Sequence, residues 1–264
     1  MPALAVAPPE LELPSISFVG RSLNEYAQFF ALDPATLRGK AVLDVGAGAS
    51  SFVAEACRRG ADAVAVDPLY GAGAHRLAER VKLDFAQESA RMRARPRRYK
   101  LSRLSGPGAR WPRPQNVSAP PRSRAFFSSF DEADFDRRAA AQRFLADYEQ
   151  HFAHGRYVSA ALPQLPFLDR AFDLVLCAHL LFTPGEEFDF SWHVAALGEL
   201  ARVSASEVRI HPLCGPDGRR YTELERLQRE LLTRGIPSAV VPVPYEFYVG
   251  GSTMLVLNPE ESAG

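Results

Sequence analysis

The chain has 264 residues, of which 47% are hydrophobic, and its 31 lysines and arginines balance 31 acidic residues. This length is at the upper end for one α/β domain and argues against a second full domain. The three cysteines are neither even in number nor closely paired, which argues against a disulfide framework or a zinc site. We therefore expect one large domain in a reducing compartment.

The sequence has no pattern typical of a signal peptide or a membrane span. The first residues have no basic region followed by a long apolar run, and no stretch approaches the ~18 apolar residues of a membrane span. We expect a soluble, cytoplasmic protein without membrane contact. No feature predicts an oligomeric state.

The first predicted element is a helix over residues 21–32. Four apolar residues recur there at helical spacing: Leu23, Tyr26, Phe29 and Phe30. Asp33 before Pro34 predicts a short second helix, because a capping residue precedes a proline in the first turn. We assign residues 1–38 to an N-terminal helical lid and residues 39–257 to the main domain.

A strand over residues 41–45 leads into a turn that contains Gly46 and Gly48. Because glycine has no Cβ, the backbone can adopt positive φ there and come close to a ligand. Ser50 and Ser51 are candidate caps for the helix that follows, which would leave amide donors facing the cleft. The pattern therefore predicts a ligand-binding turn.

A second strand, residues 63–66, ends at Asp67, which stands 23 positions after Asp44. A carboxylate at the end of this strand can accept hydrogen bonds from both hydroxyls of a ribose. A strand, a glycine turn, a helix and a second strand with a terminal acid form the opening unit of a nucleoside-binding sheet. The sequence thus predicts a ribose-bearing cofactor.

Two features favour a sulfonium nucleoside over a dinucleotide. A dinucleotide site has a third glycine three positions after the second, where this chain has Ser51. Asp44 precedes Gly46 by two residues, where it would repel a pyrophosphate and attract the ammonium of an amino acid. S-adenosylmethionine carries an ammonium and no phosphate, so it is the preferred candidate, with a nicotinamide cofactor and a dehydrogenase as the remaining alternative.

Residues 91–125 contain ten arginines and Lys100 without an acidic residue, a charge of +11 that the rest of the chain balances. Six prolines and two glycines in the same stretch disfavour a packed core, so we expect a mobile insertion. It would either neutralise phosphates and stack on bases of a nucleic acid, or lie on the acidic body of its own domain or of a partner subunit. Both interpretations stay open.

Helices and strands alternate over the second half of the chain. The predicted elements are a helix over 131–148, a strand over 156–160, a strand over 172–177, a helix over 191–203, a short strand over 208–210, a helix over 221–232, and strands over 239–243 and 254–257. This alternation predicts a parallel sheet with helices on both faces, and the last two strands form an antiparallel pair. Residues 258–264 are expected to be a disordered tail.

Three segments have the order and spacing of known motifs: residues 43–48, 66–68 and 165–177. They resemble the first, second and fourth motifs of the class I S-adenosylmethionine-dependent methyltransferases. Shorter segments, among them 243–247, are similar to a bacterial subgroup of that superfamily. The resemblance implies a seven-stranded, mostly parallel Rossmann-like methyltransferase sheet with helices on both faces and a terminal antiparallel hairpin.

The resemblance also implies a cofactor site at the carboxyl edge of the sheet, with Arg21 and Tyr26 as candidate lid contacts. The implied cofactor-binding residues are Asp44, Gly46, Ala47, Gly48, Asp67, Pro68, Ala161, Leu162 and Cys177. The family commonly has an acid for the adenine amino group where this chain has Ala161. Adenine recognition would then depend on backbone groups near Ala161 and Leu162 and on apolar contact.

His179 follows the fourth strand, at the edge where open parallel sheets bind their ligands. It is the best-placed titratable side chain and the candidate catalytic residue. Its imidazole can take a proton from a hydroxyl or amine nucleophile, or only position a nucleophile that is already deprotonated. A hydrogen-bonded structural histidine is the alternative, with His193 and His211 as weaker candidates. No histidine has a metal-ligand spacing, so no metal is predicted.

The predicted function is methyl transfer from S-adenosylmethionine to a small molecule that the sequence does not identify. One alternative is a catalytically silent binding or regulatory protein, suggested by the missing adenine acid. Another is an RNA or other nucleic-acid methyltransferase that uses the basic insertion. Enzymes that methylate base amines usually have an Asn/Asp-Pro-Pro-aromatic tetrad after the fourth strand, whereas this chain has residues Cys177-Ala178-His179-Leu180, which counts against that substrate.

Overall fold

The computed structural model describes residues 17–101, 125–183 and 188–258, and these form one sheet with surrounding helices. The strands are β1 (Ala41–Val45), β2 (Asp62–Val66), β3 (Tyr157–Val158), β4 (Phe172–Ala178), β5 (Ser204–His211), β6 (Ser238–Pro242) and β7 (Thr253–Leu257). The α-helices are α1 (Leu23–Phe29), α2 (Phe52–Cys57), α3 (Ala74–Ala94), α4 (Phe130–His151), α5 (Phe190–Val203) and α6 (Leu224–Thr233).

The sheet has seven strands in the order β3-β2-β1-β4-β5-β7-β6. Strands β1 to β5 pair in parallel, whereas β7 runs antiparallel to both β5 and β6. Parallel strands must be covered on both faces, and their residues accordingly alternate between two buried cores. Leu176 packs in the first core, whereas Leu43 and Val175 pack in the second. The predicted fold class is confirmed.

Helices cover both faces of this sheet. Helices α1 to α4 contribute to the first core, where Phe52 and Phe144 are fully buried. Helices α5 and α6 cover the other face, and α6 buries Leu224, Leu227 and Leu231 at helical spacing. None of the helices within the described ranges is long and apolar enough to cross a membrane.

Several predicted boundaries need correction. The fifth strand was predicted over 208–210, but β5 runs from Ser204 to His211 and follows α5 without an intervening turn. Three of its first four residues are polar, and its pairing with β4 extends back to the buried Ser204 through a register shift. Conversely, the strand predicted over 156–160 keeps only Tyr157–Val158, and α1 is shorter at both ends than the predicted helix over 21–32.

The start of the predicted basic insertion at residue 91 also needs correction. Residues 91–94 are the last turn of α3, where Arg93 pairs with Asp131 and Asp134 of α4. These ion pairs and the helix-forming residues around them extend the helix into the arginine-rich stretch. Tyr99 then forms an isolated antiparallel β-bridge with Tyr248 of the β6–β7 connection. Residues 102–124 of the predicted insertion, residues 1–16 of the predicted lid and residues 259–264 of the predicted tail lie outside the described residues.

Candidate functional site

The glycine turn links the carboxyl ends of β1 and β2. Gly46 and Gly48 have φ angles of +68° and +56°, the positive values that the sequence predicts. The backbone N–H groups of Gly46 and Ala47 donate to the carbonyl oxygen of Val66 at 2.9 and 3.1 Å. A Cβ on Gly46 would lie 2.7 Å from Leu180 Cδ2, so the turn and the residue after His179 are in direct contact.

Asp67 lies against this turn. Its Oδ2 accepts the N–H of Gly48 at 3.0 Å, and its Oδ1 accepts the N–H of Leu69 at 2.9 Å. Burial raises the pKa of the Asp67 carboxyl to about 6, against the lowering effect of these two backbone bonds. The acid predicted to bind ribose is therefore buried and held in place by the glycine turn.

Asp44 is completely buried at the end of β1. The hydroxyl of Tyr26 in α1 donates to both of its oxygens, at 3.2 Å to Oδ1 and 3.0 Å to Oδ2. Burial raises the pKa of Asp44 to about 8, and the negative charge of Asp67 acts in the same direction. Without a bound cation, Asp44 is thus mostly protonated at neutral pH and covered by the N-terminal helix.

The two serines after the turn differ in their roles. Ser50 Oγ accepts the N–H of Phe52 at 3.0 Å and donates to the carbonyl oxygen of Arg21 at 3.1 Å. Ser51 occupies the predicted N-cap position of α2, but its side chain makes no cap hydrogen bond, because its hydroxyl donates to Glu55. Its N–H donates to the Arg21 carbonyl oxygen at 3.0 Å. These donors attach the backbone of Arg21 to the turn, instead of facing an open cleft as predicted.

Gly20, which the sequence analysis missed, brings the N-terminal segment onto α4. A Cβ at this position would lie 2.1 Å from the carbonyl oxygen of Arg137 and 2.6 Å from the nitrogen of Ala141. Only glycine permits this approach. The sequence did contain a signal for this contact, a glycine that directly follows the apolar residues Phe18 and Val19.

His179 lies directly after β4 with a φ of +54°, a left-handed conformation that is strained for a bulky side chain. Its ring is 9% exposed, and among the described residues neither ring nitrogen has a hydrogen-bond partner. The rings of Phe29 and Tyr248 meet it edge-on at centroid distances of 5.6 and 5.7 Å. Burial lowers the pKa of His179 well below 6.5, and the charge of Arg21 adds to this effect. His179 is therefore a neutral imidazole with unsatisfied nitrogens.

His211, at the end of β5, is brought beside His179, with their rings 5.8 Å apart. The backbone N–H of His179 donates to the His211 carbonyl oxygen at 2.7 Å. Nε2 of His211 hydrogen-bonds the carbonyl oxygen of Gly251 at 3.0 Å, whereas Nδ1 has no partner in the described part of the chain. Burial lowers the pKa of His211 to about 3, so this ring is also neutral. By contrast, both ring nitrogens of His193 bond backbone carbonyl oxygens, which is a structural role.

A buried ion pair, also missed from the sequence, stabilises the lid helix. Glu25 of α1 is bonded by Arg137 of α4 at 3.0 Å and by the hydroxyl of Tyr245 at 2.6 Å. Burial acts to raise the pKa of Glu25, but the positive charges of Arg137 and Arg21 outweigh it and lower the pKa. Arg137 also lies over the ring of Phe247 at 4.4 Å. The lid, α4 and the β6–β7 connection thus meet at one charged contact.

The remaining predicted cofactor residues separate into two groups. Pro68 follows Asp67, and its carbonyl oxygen accepts the hydroxyl of Ser159 at 3.3 Å. Ala161 is half-buried after β3, and the neighbouring Leu162 is buried. Cys177 pairs with Val45 near the end of β4, but its side chain packs in the second core, and burial raises the pKa of its thiol. Within the described ranges, no three His, Cys, Asp or Glu side chains are grouped so as to hold a metal ion.

Similarity to known proteins is found among curated sequences and among solved structures. No protein-family model matches the chain. A curated protein, an uncharacterized protein of the archaeon Methanocaldococcus jannaschii, is 26% identical over 250 residues, which cover 94% of this chain and 98% of that protein.

Among solved structures, two that are similar to this chain are methyltransferases. A TehB-like SAM-dependent methyltransferase from Corynebacterium glutamicum is 13% identical, covers 86% of this chain and 87% of its own, and has a TM-score of 0.43. A magnesium protoporphyrin IX methyltransferase from Synechocystis PCC 6803 with bound SAM is 13% identical over 85% of this chain and 72% of its own, with a TM-score of 0.41. These are similarities only, and the function of this chain is argued from its own residues.

Proposed function

We propose that this protein binds S-adenosylmethionine and transfers its methyl group to a small-molecule acceptor. The observation that carries the proposal is the convergence of Asp44, Asp67 and the Gly46–Gly48 turn at the carboxyl edge of β1 and β2. Open parallel sheets bind ligands at this edge. The narrower resemblance to a bacterial methyltransferase subgroup stays a prediction.

Asp67 fits the ribose of such a cofactor. Each of its carboxylate oxygens accepts one backbone N–H and keeps a second lone pair for a ribose hydroxyl. The backbone bonds fix the orientation of the carboxylate before a ligand arrives, which reduces the entropy lost on binding. Hydroxyl donors favour the charged form of the acid, so we expect cofactor binding to lower the pKa of Asp67.

Asp44 fits the amino-acid end of the cofactor. It is a buried acid with no basic side chain in direct ion pair among the described residues, and its pKa near 8 reflects the cost of a charge at that position. An ammonium there compensates the charge and takes the place of the proton. A pyrophosphate would instead add negative charge next to a buried acid, which is unfavourable.

When bound, the cofactor supplies an electrophilic methyl group on a sulfonium sulfur. The protein then has to hold the nucleophile in line with that methyl group and remove its proton. His179 lies beside the glycine turn, through Leu180, and its neutral imidazole can accept a proton at the ring nitrogen that carries no hydrogen. We propose His179 as the general base for a hydroxyl or amine acceptor.

Thermal denaturation with S-adenosylmethionine, S-adenosylhomocysteine and NAD tests the cofactor. A ligand at about 100 times its Kd stabilises the folded state by about 2.7 kcal/mol, which raises the melting temperature by roughly 5 °C or more. We expect this rise with the two sulfur nucleosides and none with NAD.

Variants of β2 provide the matched control for that experiment. Asp67→Asn should reduce the rise by most of its size, because the neutral amide cannot accept both ribose hydroxyls. Asp62→Asn changes an exposed acid at the start of the same strand and should leave the rise unchanged. A full rise with Asp67→Asn would overturn the ribose assignment.

The role of His179 is tested separately from cofactor binding. His179→Ala should slow methyl transfer by about 10²- to 10⁴-fold, the usual contribution of a general base, with the affinity for S-adenosylhomocysteine unchanged. An unchanged rate at all pH values would show that His179 only fills space. Binding without any turnover, for every acceptor tried, would instead favour the silent binding or regulatory protein.

A further inference from the structure

Helix α1 contacts both halves of the site. The hydroxyl of Tyr26 donates to the two oxygens of Asp44 at 3.2 and 3.0 Å. The ring of Phe29 stacks face to face on His211 at a centroid distance of 5.2 Å and meets His179 almost perpendicularly at 5.6 Å. Residues three apart in a helix are neighbours on its surface. One helix therefore touches both the acid assigned to the cofactor and the base assigned to the acceptor.

These contacts bury the atoms that both ligands have to reach. Asp44 and Phe29 are fully buried. Both ring nitrogens of His179 and Nδ1 of His211 are buried as well, without a partner among the described residues. A hydrogen bond needs its two heavy atoms about 3 Å apart. An ammonium thus reaches Asp44, and a nucleophile reaches His179, after the covering side chains have moved.

The contacts made by α1 are weaker than those that the ligands offer. Tyr26 gives Asp44 a neutral hydroxyl donor, whereas an ammonium gives a charge-assisted bond that is about twice as strong. Phe29 covers the histidine rings with carbon and leaves their nitrogens without hydrogen bonds, which costs free energy. Polar ligands can therefore replace this helix on both sides.

The two ends of α1 differ in how firmly they are held. At the amino end, Gly20 packs against the backbone of Arg137, which also forms an ion pair with Glu25. Two residues after the carboxyl end, Ala31 has a φ of +48°, a left-handed conformation that is strained for any residue with a Cβ. A shift of the carboxyl end can relieve this strain while Gly20 stays in place.

We propose that α1 is an internal competitor of both ligands, with Tyr26 in the place of the cofactor ammonium on Asp44 and Phe29 covering His179. This inference rests on the proposed methyltransferase function. Cofactor binding at Asp44 displaces Tyr26. Because Phe29 belongs to the same helix, this displacement also uncovers the two histidines. The acceptor consequently binds after the cofactor.

Calorimetric titration of Tyr26→Phe tests the competition at Asp44. The variant should bind S-adenosylhomocysteine about fivefold more tightly than the unaltered protein, because the ligand no longer has to break one hydrogen bond. Methylthioadenosine lacks the amino-acid end, so its affinity should not change. Tyr157→Phe is the matched control, since it removes a hydroxyl that donates to the buried Asp147 at 2.7 Å. It should leave both affinities unchanged.

Chemical modification of histidines tests the coupling to the acceptor half. Diethyl pyrocarbonate acylates accessible, unprotonated imidazole nitrogens, and mass spectrometry gives the rate for each histidine. We expect His179 to react at least fivefold faster with saturating S-adenosylhomocysteine than without it, and faster in Tyr26→Phe than in the unaltered protein without ligand. His193 is the internal control, because backbone carbonyl oxygens hold both of its nitrogens, and its rate should stay the same.

Two results would overturn the proposal. One is that folded Tyr26→Phe binds S-adenosylhomocysteine no more tightly than the unaltered protein, in which case Tyr26 does not compete with the ligand. The other is that the reactivity of His179 changes neither with S-adenosylhomocysteine nor in Tyr26→Phe.

Failure of the proposed function has a different signature. If the unaltered protein binds neither S-adenosylmethionine nor S-adenosylhomocysteine, that function is wrong. The rates of His179 modification without ligand then still report whether Tyr26 keeps Phe29 over the histidines. If the nucleosides bind but Tyr26→Phe brings no gain in affinity, the competition by α1 alone is wrong.

Discussion

The cofactor side and the acceptor side of the site are built differently. On the cofactor side, at the ends of β1 and β2, the polar groups already have partners: Asp67 accepts two backbone N–H groups and Asp44 accepts the Tyr26 hydroxyl. On the acceptor side, at the ends of β4 and β5, His179 and His211 have buried ring nitrogens without partners within the described residues. One half of a site can thus be preorganised for its ligand, while polar groups in the other half stay without hydrogen-bond partners until a second ligand binds.

The largest effect expected from this comparison concerns the two buried arginines. Arg137→Met should lower the free energy of unfolding by about 3–5 kcal/mol, because it leaves Glu25 buried without its cation. Arg21→Met removes a cation that forms no ion pair in the described residues and acts on Glu25 only through its charge, so the loss should be smaller than at Arg137. Urea denaturation of both variants at pH 7 measures the difference. Equal losses would show that Arg21 is a structural residue.

The glycine turn gives the next largest effect. Gly46→Ala places a Cβ 2.7 Å from Leu180 in a residue with a φ of +68°. We expect a loss of about 2–3 kcal/mol in stability and loss of S-adenosylhomocysteine binding. Gly39→Ala is the matched control, since its φ is +75° but no atom lies within 4 Å. It should cost about 1 kcal/mol and leave binding intact, and a similar loss in both variants would mean that backbone strain alone acts at Gly46.

Asp44→Asn should stabilise the protein and weaken its binding of the cofactor. The folded pKa of about 8 exceeds the ordinary value of 3.8, so between these pH values the folded protein holds a proton that the unfolded chain has lost. The free energy of unfolding therefore falls as pH rises through this window. Asparagine does not titrate, so this fall should be absent in the Asp44→Asn variant. We expect a gain of about 1–2 kcal/mol at pH 8 and a smaller gain at pH 5, measured by urea denaturation. A loss of stability at pH 8 would contradict this electrostatic explanation.

The remaining effect is the pH dependence of cofactor affinity. Bound ammonium favours the charged form of Asp44, and ribose hydroxyls favour that of Asp67, so binding releases protons below pH 8 and pH 6 respectively. Affinity for S-adenosylhomocysteine should rise with pH up to about 8, by at most about tenfold per pH unit for each proton. Asp44→Asn should flatten the rise between pH 6 and 8. A wild-type affinity that is flat over this range would remove the proposed role of Asp44.

Whether a feature could be predicted from the sequence depended on how far apart along the chain its contacting residues lie. The glycine turn, β2 and Asp67 depend on neighbours within about one βαβ unit, so their residue pattern carries the information. The alternation of elements likewise predicted the sheet and its terminal hairpin. Polar residues between Ser204 and Glu207 concealed the first half of β5, because its pairing with β4 is a tertiary contact.

The acceptor side could not be predicted in the same way. Glu25 pairs with Arg137 across 112 positions, and Tyr245 reaches Glu25 across 220. No local period or spacing in one sequence indicates such partners. His179 was placed correctly at the edge of the sheet by its position after β4, but its unsatisfied nitrogens and its proximity to His211 emerge only from the folded chain.

Calorimetric titration of the protein with S-adenosylhomocysteine at pH 7, in two buffers of different ionisation enthalpy, is the most direct test of the cofactor side. We expect one molecule bound per chain, with net release of protons as Asp44 becomes charged. No binding by protein that circular dichroism shows to be folded would contradict the assignment of Asp44, Asp67 and the glycine turn to a sulfonium nucleoside.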